Sequence, residues 1–181
     1  MEYTYDGTFD GLLCCLWAHV YIEKADEILP AGCADQMSFS ARTFIETDAE
    51  KAERVACGIE KKISGYALRR AYRAFLSGEP AREMDILHYV FFGFSIGRDV
   101  DKMHGHPICR RMDVLNHKVA REAERLRGLL RFGALESAEG RPLLYAHITP
   151  DCDILQILMP HFLNRYRQEP FVIHDLNREK A

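Results

Sequence analysis

Leu143-Leu144-Tyr145-Ala146-His147-Ile148-Thr149-Pro150-Asp151-Cys152-Asp153-Ile154-Leu155 is the stretch that decides the fold class of this chain. Its first half, Leu143 to Ile148, is β-prone and reads as a strand. Thr149, Pro150 and Asp151 then supply an N-cap hydroxyl, a proline suited to a first helical position and an acid favoured in a first turn. A helix from Asp151 is expected. It would turn Ile154, Leu155, Leu158, Phe162 and Leu163 inward, with Pro160 as a kink or break.

Upstream, Leu130 to Leu135 is strand-like and Ser137 to Arg141 has the composition of a turn, so the two strands form an antiparallel hairpin. Downstream, Phe171-Val172-Ile173-His174 reads as a further strand. The first half of the chain is mostly helical in period. Tyr3 to Tyr5 is a short strand, and Asp6-Gly7-Thr8 a turn into a helix with Phe9, Leu12, Leu13, Leu16, Trp17 and Val20 on its apolar positions. After the break at Pro30 to Gly32, Phe39, Thr43, Phe44 and Ile45 suggest a second strand. Thr47-Asp48-Ala49-Glu50 has the form of a capping box ahead of a helix through Ala52, Val55, Ala56 and Ile59.

Ser64 caps the next helix, which turns Leu68, Ala71, Tyr72 and Phe75 inward. The helix from Glu83 to about Ile96 is apolar nearly all round and is expected to be central and buried. His104-Gly105-His106-Pro107 opens a long helix that gives way at Gly128. The order of elements predicts an α+β fold, a helical cluster packed on a small, mainly antiparallel β-sheet, in a single domain over 1–181.

Composition narrows the function classes. The chain has 181 residues, 48% hydrophobic and 28% charged, with a net charge of −3. That balance does not suit a protein that coats nucleic acid with its whole surface. Charge is segregated, however: Arg98 to Arg131 holds nine Lys and Arg against five Asp and Glu. No apolar run approaches the about 18 residues of a membrane span. An acidic opening, Met1-Glu2-Tyr3-Thr4-Tyr5-Asp6, lacks the basic start of a signal peptide, so a cytoplasmic location is expected. The six cysteines, Cys14, Cys15, Cys33, Cys57, Cys109 and Cys152, then read as free thiols. None has metal- or cluster-binding spacing, and neither a cofactor nor a metal is expected.

On the long helix Arg111, Lys118, Arg121 and Arg125 fall in one stripe beside the apolar stripe of Ile108, Met112, Leu115, Val119 and Leu126. A basic rail of this kind can track nucleic-acid phosphates. Spacing alone favours the other reading, in which the cations flank a core-facing stripe and pair with Glu122 and Glu124. The aromatic residues Tyr66, Tyr72, Phe75, Tyr89, Phe91, Phe92 and Phe94 fit packing better than base stacking. Walker, dinucleotide-binding and nucleophile-elbow motifs are absent from the sequence.

Tyr5-Asp6-Gly7-Thr8-Phe9-Asp10-Gly11-Leu12-Leu13, Leu130-Arg131-Phe132, Ile148-Thr149-Pro150-Asp151-Cys152-Asp153-Ile154-Leu155, Pro160-His161-Phe162 and Phe171-Val172-Ile173-His174-Asp175 occur in this order. Together they resemble an uncharacterised bacterial family of DNA-metabolism proteins, encoded beside a radical SAM DNA modification or repair protein. Some of its members are fused to a uracil-DNA glycosylase-like domain. The resemblance implies a DNA repair or modification accessory protein whose partners are the radical SAM protein, DNA and such a glycosylase-like domain. It directs attention to Tyr5, Asp6, Arg131, Asp151, Asp153, His161, Arg165, His174, Asp175 and Arg178. Two departures stand out: Leu129 replaces the family's usual Phe, and the chain stops at Ala181 where relatives continue, implying a truncated C-terminal part.

Nucleic-acid contact is expected from Arg111, Lys118, Arg121, Arg125, Arg131 and Arg165, with Arg131 on a strand and Asp151 at a helix start. The rival is an enzyme acting on a nucleobase or nucleotide, with His161, His174, Asp175, Asp151 and Asp153 as acid–base candidates.

Overall fold

A computed structural model describes residues 1–33, 42–136 and 142–181. Six helices and six strands are assigned among them. In chain order these are β1 (Glu2–Tyr5), α1 (Phe9–Tyr21), β2 (Glu27–Pro30), β3 (Arg42–Phe44), α2 (Ala49–Lys62), α3 (Gly65–Phe75), α4 (Arg82–Ile96), α5 (Pro107–Leu129), β4 (Gly133–Glu136), β5 (Pro142–Ile148), α6 (Leu155–Arg165) and β6 (Phe171–Asp175). The α+β class is as the sequence predicts. Two compact units divide the chain: an N-terminal one, Met1–Phe75 with Glu79–Leu115, and a C-terminal one, Leu76–Gly78 with Asn116–Ala181.

The strands form two three-stranded sheets, and antiparallel pairing is the minority. β2-β1-β3 is wholly parallel; β4-β5-β6 pairs β4 with β5 antiparallel and β5 with β6 parallel. The expectation of one mainly antiparallel sheet is therefore corrected. Parallel pairing joins β1 to β2, β1 to β3 and β5 to β6, each pair separated by a crossover; β2, whose four residues Glu27-Ile28-Leu29-Pro30 show no alternating run, is held as a strand by pairing with β1 across α1. The turn expected over Ser137 to Arg141, and Phe39 of the second predicted strand, lie outside the described residues.

Local chemistry sets the start of α1. The Thr8 hydroxyl accepts the Gly11 amide at 3.0 Å, and the Asp6 carboxylate accepts the Thr8 amide at 2.9 Å and the Thr8 and Thr47 hydroxyls at 2.7 and 2.8 Å. Thr47 is thus drawn away from the capping role predicted for it. Asp48 caps α2 instead, accepting from the amides of Glu50 and Lys51. Burial acts to raise the Asp6 pKa, but the three donors outweigh it and hold the carboxyl below its ordinary value.

The N-terminal core joins β1 to the helices through Tyr3, Tyr5, Leu12, Leu16, Ile28, Ile59, Ile86 and Tyr89, all buried. Its buried polar groups are tied to one another. Tyr5 donates to Glu83 at 3.0 Å, and Arg82 reaches the same carboxylate oxygen at 3.0 Å. Arg70, 2% exposed, donates to the Cys109 carbonyl and to Asp113 and lies over the Tyr89 ring, fixing α3 and α4 to the first turns of α5. The helix α4 is less enclosed than its composition suggests. Ile86, Leu87, Tyr89, Val90 and Gly93 are buried, but Phe94 is 37% exposed.

In the C-terminal unit Ala146, Ile148 and Ile173 of the sheet are buried, as are Leu158 and Phe162 of α6. Phe132 meets Phe162, Tyr166 and Phe171 edge-on at 4.9–5.8 Å between centroids. Among the described residues no helix is long and apolar enough to cross a membrane.

Candidate functional site

The apolar stripe of α5 is in place: Met112, Leu115 and Val119 are fully buried. The cations beside it are not a uniform rail. Arg111, in the N-terminal unit, pairs with Asp85 of α4 at 2.8 Å. Arg125 pairs with Glu122 at 3.4 Å, and half-buried Lys118 acts on the Cys152 thiol by its charge. Arg121 is exposed and makes no ion pair among the described residues. Arg131 is also exposed, but it does not stand on a strand. It follows the end of α5 and donates to the carbonyls of Gly128 and Leu130 at 3.3 and 3.4 Å, because α5 runs through Gly128 to Leu129 and β4 begins only at Gly133. Arg165 ends α6, exposed, with its guanidinium over the Tyr166 ring at 5.6 Å.

The segment after β5 corrects a second expectation. Thr149-Pro150-Asp151 does not start a helix; α6 begins four residues later, at Leu155. Glu122, 8% exposed, is tied to this segment. Its carboxylate accepts the amides of Asp151 at 3.0 Å and Cys152 at 2.8 Å, while the Asp153 amide donates to the Leu76 carbonyl at 2.8 Å. The first amides of a helix lack intrahelical acceptors in any case; the carbonyls of Pro150 and Asp151, which a first turn would use as acceptors, are taken by Asn177 and Arg178 instead. From the other side Arg178 donates to the carbonyls of Pro150 and Asp151 and to Asp175, and Asn177 donates to Pro150 at 3.0 Å.

Glu122, Asp153 and Asp175 all have partners in this knot. Asp175 is fully buried and also accepts the Asn177 amide at 3.0 Å, and Asp153 pairs with Lys180 at 3.1 Å. Burial would raise the Glu122 pKa, but the thiol and amide of Cys152 and the amide of Asp151, with Arg125 nearby, hold it below its ordinary value. Burial, reinforced by Glu122, pushes the Cys152 thiol up to about 12, so it stays neutral and is a poor nucleophile.

The histidines do not gather around these acids. His161 is exposed on α6, edge-on to Phe162. His174 stands on β6 beside His147 of β5 in register, and its Nδ1 lies 3.0 Å from the Tyr145 hydroxyl. Tyr145, His147 and His174 share the sheet face opposite buried Ala146 and Ile173. Among the described residues no group of three His, Cys, Asp or Glu side chains is arranged to hold a metal.

A family model described as a domain of unknown function, DUF4130, matches residues 80–181. The chain belongs to this family. No curated protein and no solved structure matches it. The DUF4130 region contains Glu122 and the segment it binds, the Tyr145–His174 pair and every nucleic-acid candidate from Arg111 to Arg165; Tyr5, Asp6 and Leu76 precede it. Two of its central residues were not singled out from sequence. Glu122 was read only as a surface partner for α5 cations, and Tyr145 only as a strand residue. The signal for Tyr145 was its position two residues before His147, which places both on one strand face.

Proposed function

We propose that this DUF4130 protein is a DNA repair or modification accessory protein that contacts DNA in the cytoplasm and docks on a radical SAM partner. One observation carries this reading in preference to catalysis. In the C-terminal unit Glu122, Asp153 and Asp175 are bound by amides, Lys180 and Arg178, while Arg121, Arg125, Arg131 and Arg165 remain exposed. Exposed guanidinium groups suit phosphate oxygens, and such contacts fix position on a strand without reading its sequence. The sequence resemblance supplies the partner and the DNA context, including recognition alongside a glycosylase-like domain.

The test is binding of the purified chain to single-stranded, duplex and uracil-containing DNA over a range of salt, with the radical SAM partner absent and then present. Binding that weakens with salt, and whose salt dependence becomes shallower on substituting Arg121 and Arg165, supports contact through this unit. Binding only with the partner present makes the chain an adaptor, and no binding in either condition defeats the DNA reading.

A second reading, an enzyme acting on a nucleobase or nucleotide, draws on the Tyr145–His174 hydrogen bond, which could hold the imidazole for proton transfer. For this reading, a His174→Ala chain that folds and binds its partner should form no product. Unchanged product formation would remove His174 from the chemistry.

A further inference from the structure

The N-terminal unit contains a groove for which the C-terminal arginines give no account. α1, α2 and α4 enclose a depression of about 480 Å³, within the range of roughly 300–1,000 Å³ typical of ligand clefts. Its walls carry Trp17, Tyr21, Phe91 and Phe94. Trp17 and Tyr21 lie 4.8 Å apart between ring centroids, and Phe91 meets Phe94 edge-on at 6.2 Å. Tyr21 is 67% exposed and Val20 55%, so this aromatic surface faces solvent.

A second depression of about 480 Å³ adjoins the first and shares Val20 and Phe91 with it. The charged groups among the described lining residues are cations, Arg54 and Lys62 in the first and Lys24 in the second, with the imidazoles of His19 and His88 beside Lys24 and no carboxylate among these residues. The Lys62 ammonium lies 5.8 Å above the Phe94 ring, and that of Lys51 lies 5.0 Å above Trp17. Cations therefore stand directly over the aromatic walls.

An acidic amphipathic helix would match the charge but would leave the flat rings without a specific role. Unpaired bases linked by phosphates use both features. Bases stack on aromatic faces, and phosphates meet the cations. We propose that the α1–α2–α4 groove binds single-stranded nucleic acid, taking two successive unstacked bases in its two depressions with phosphates on Arg54, Lys62 and Lys24. The inference rests on the nucleic-acid reading above and adds a base-binding site to it.

Trp17 is the only tryptophan in the chain, so its emission reports directly on the groove. The full chain is titrated with short oligothymidylate while Trp17 emission and, separately, the anisotropy of a labelled oligothymidylate are followed. Expected are quenching that saturates with the anisotropy rise, and an affinity lowered at least tenfold in the R54E/K62E chain, both positions being exposed. A rise in anisotropy with unchanged Trp17 emission, and full affinity in R54E/K62E, would overturn the groove site while leaving DNA binding to the C-terminal arginines. No anisotropy change at low salt would overturn both. Quenching by an acidic helical peptide but not by oligothymidylate would give the groove to a protein partner and overturn the proposal.

Discussion

Around Glu122, ionised groups are consumed by the fold: the carboxylate takes two amides, and Asp175 and Arg178 clasp the loop after β5. Along the α1–α2–α4 groove, Arg54 and Lys62 stand at aromatic walls with no carboxylate among the described lining residues. The first region resembles a structural joint and the second a surface held ready for a ligand. Charge pays for stability only where its hydrogen bonds are complete, so substitutions in the two regions should have opposite profiles.

The largest effect is expected at Glu122. Glu122→Ala leaves the amides of Asp151 and Cys152 without their acceptor and should cost about 3 kcal/mol in chemical denaturation, since each orphaned buried donor costs roughly 1–3 kcal/mol. A loss below about 0.5 kcal/mol, the size of an ordinary surface change, would reduce the knot to decoration. Its pH signature follows from the depressed Glu122 pKa. The carboxylate's stabilisation is fully present above the unfolded value of about 4.3 and is lost as pH falls through the lower folded value. Glu122→Gln should therefore flatten acid unfolding; an unchanged acid limb would contradict the assignment.

Gly11 tests the corresponding joint at the start of α1. A Cβ there would sit 2.3 Å from the Asp6 carboxylate and 2.9 Å from the Thr47 hydroxyl. Because Asp6 is held by three hydrogen bonds, Gly11→Ala should destabilise by about 1–3 kcal/mol in thermal or chemical unfolding. Cysteine labelling should give a subtler contrast. With its thiol pushed up to about 12, buried Cys152 should resist alkylation at neutral pH, whereas half-buried Cys57 reacts before it. Mass spectrometry of partly labelled chain would show the order, and early labelling of Cys152 would mean that the knot opens readily. The smallest stability change belongs to the groove: R54E/K62E should stay within about 0.5 kcal/mol of the parent.

These contrasts follow what was legible in the sequence. The β1–turn–α1 start could be read because Asp6, Thr8 and Gly11 act within six residues of one another. The same local logic failed at Thr149-Pro150-Asp151, where the residues that hold the segment, Glu122 and Arg178, are 29 and 27 positions from Asp151. Thr47 and Asp48 are both competent caps, and only the distant Asp6 carboxylate selects between them. β2 depends on parallel pairing across a helix, which leaves little trace in four residues. On α5 the helical spacing was right, but Asp85, which occupies Arg111, lies outside that helix. The groove was hidden by the apolarity of α4, which signals burial and cannot distinguish a covered face from Phe91 and Phe94 lining a cleft.

Charge-specific loss of single-stranded DNA binding tests the central claim most directly. The parent chain, R54E/K62E and R121A/R165A should be compared by anisotropy at several salt concentrations. The account predicts binding by the parent, loss of both affinity and Trp17 quenching in R54E/K62E, and a shallower salt slope in R121A/R165A, by up to about 1.4 for two phosphate contacts to a single strand. Equal binding by all three, or none by the parent at low salt, would contradict it.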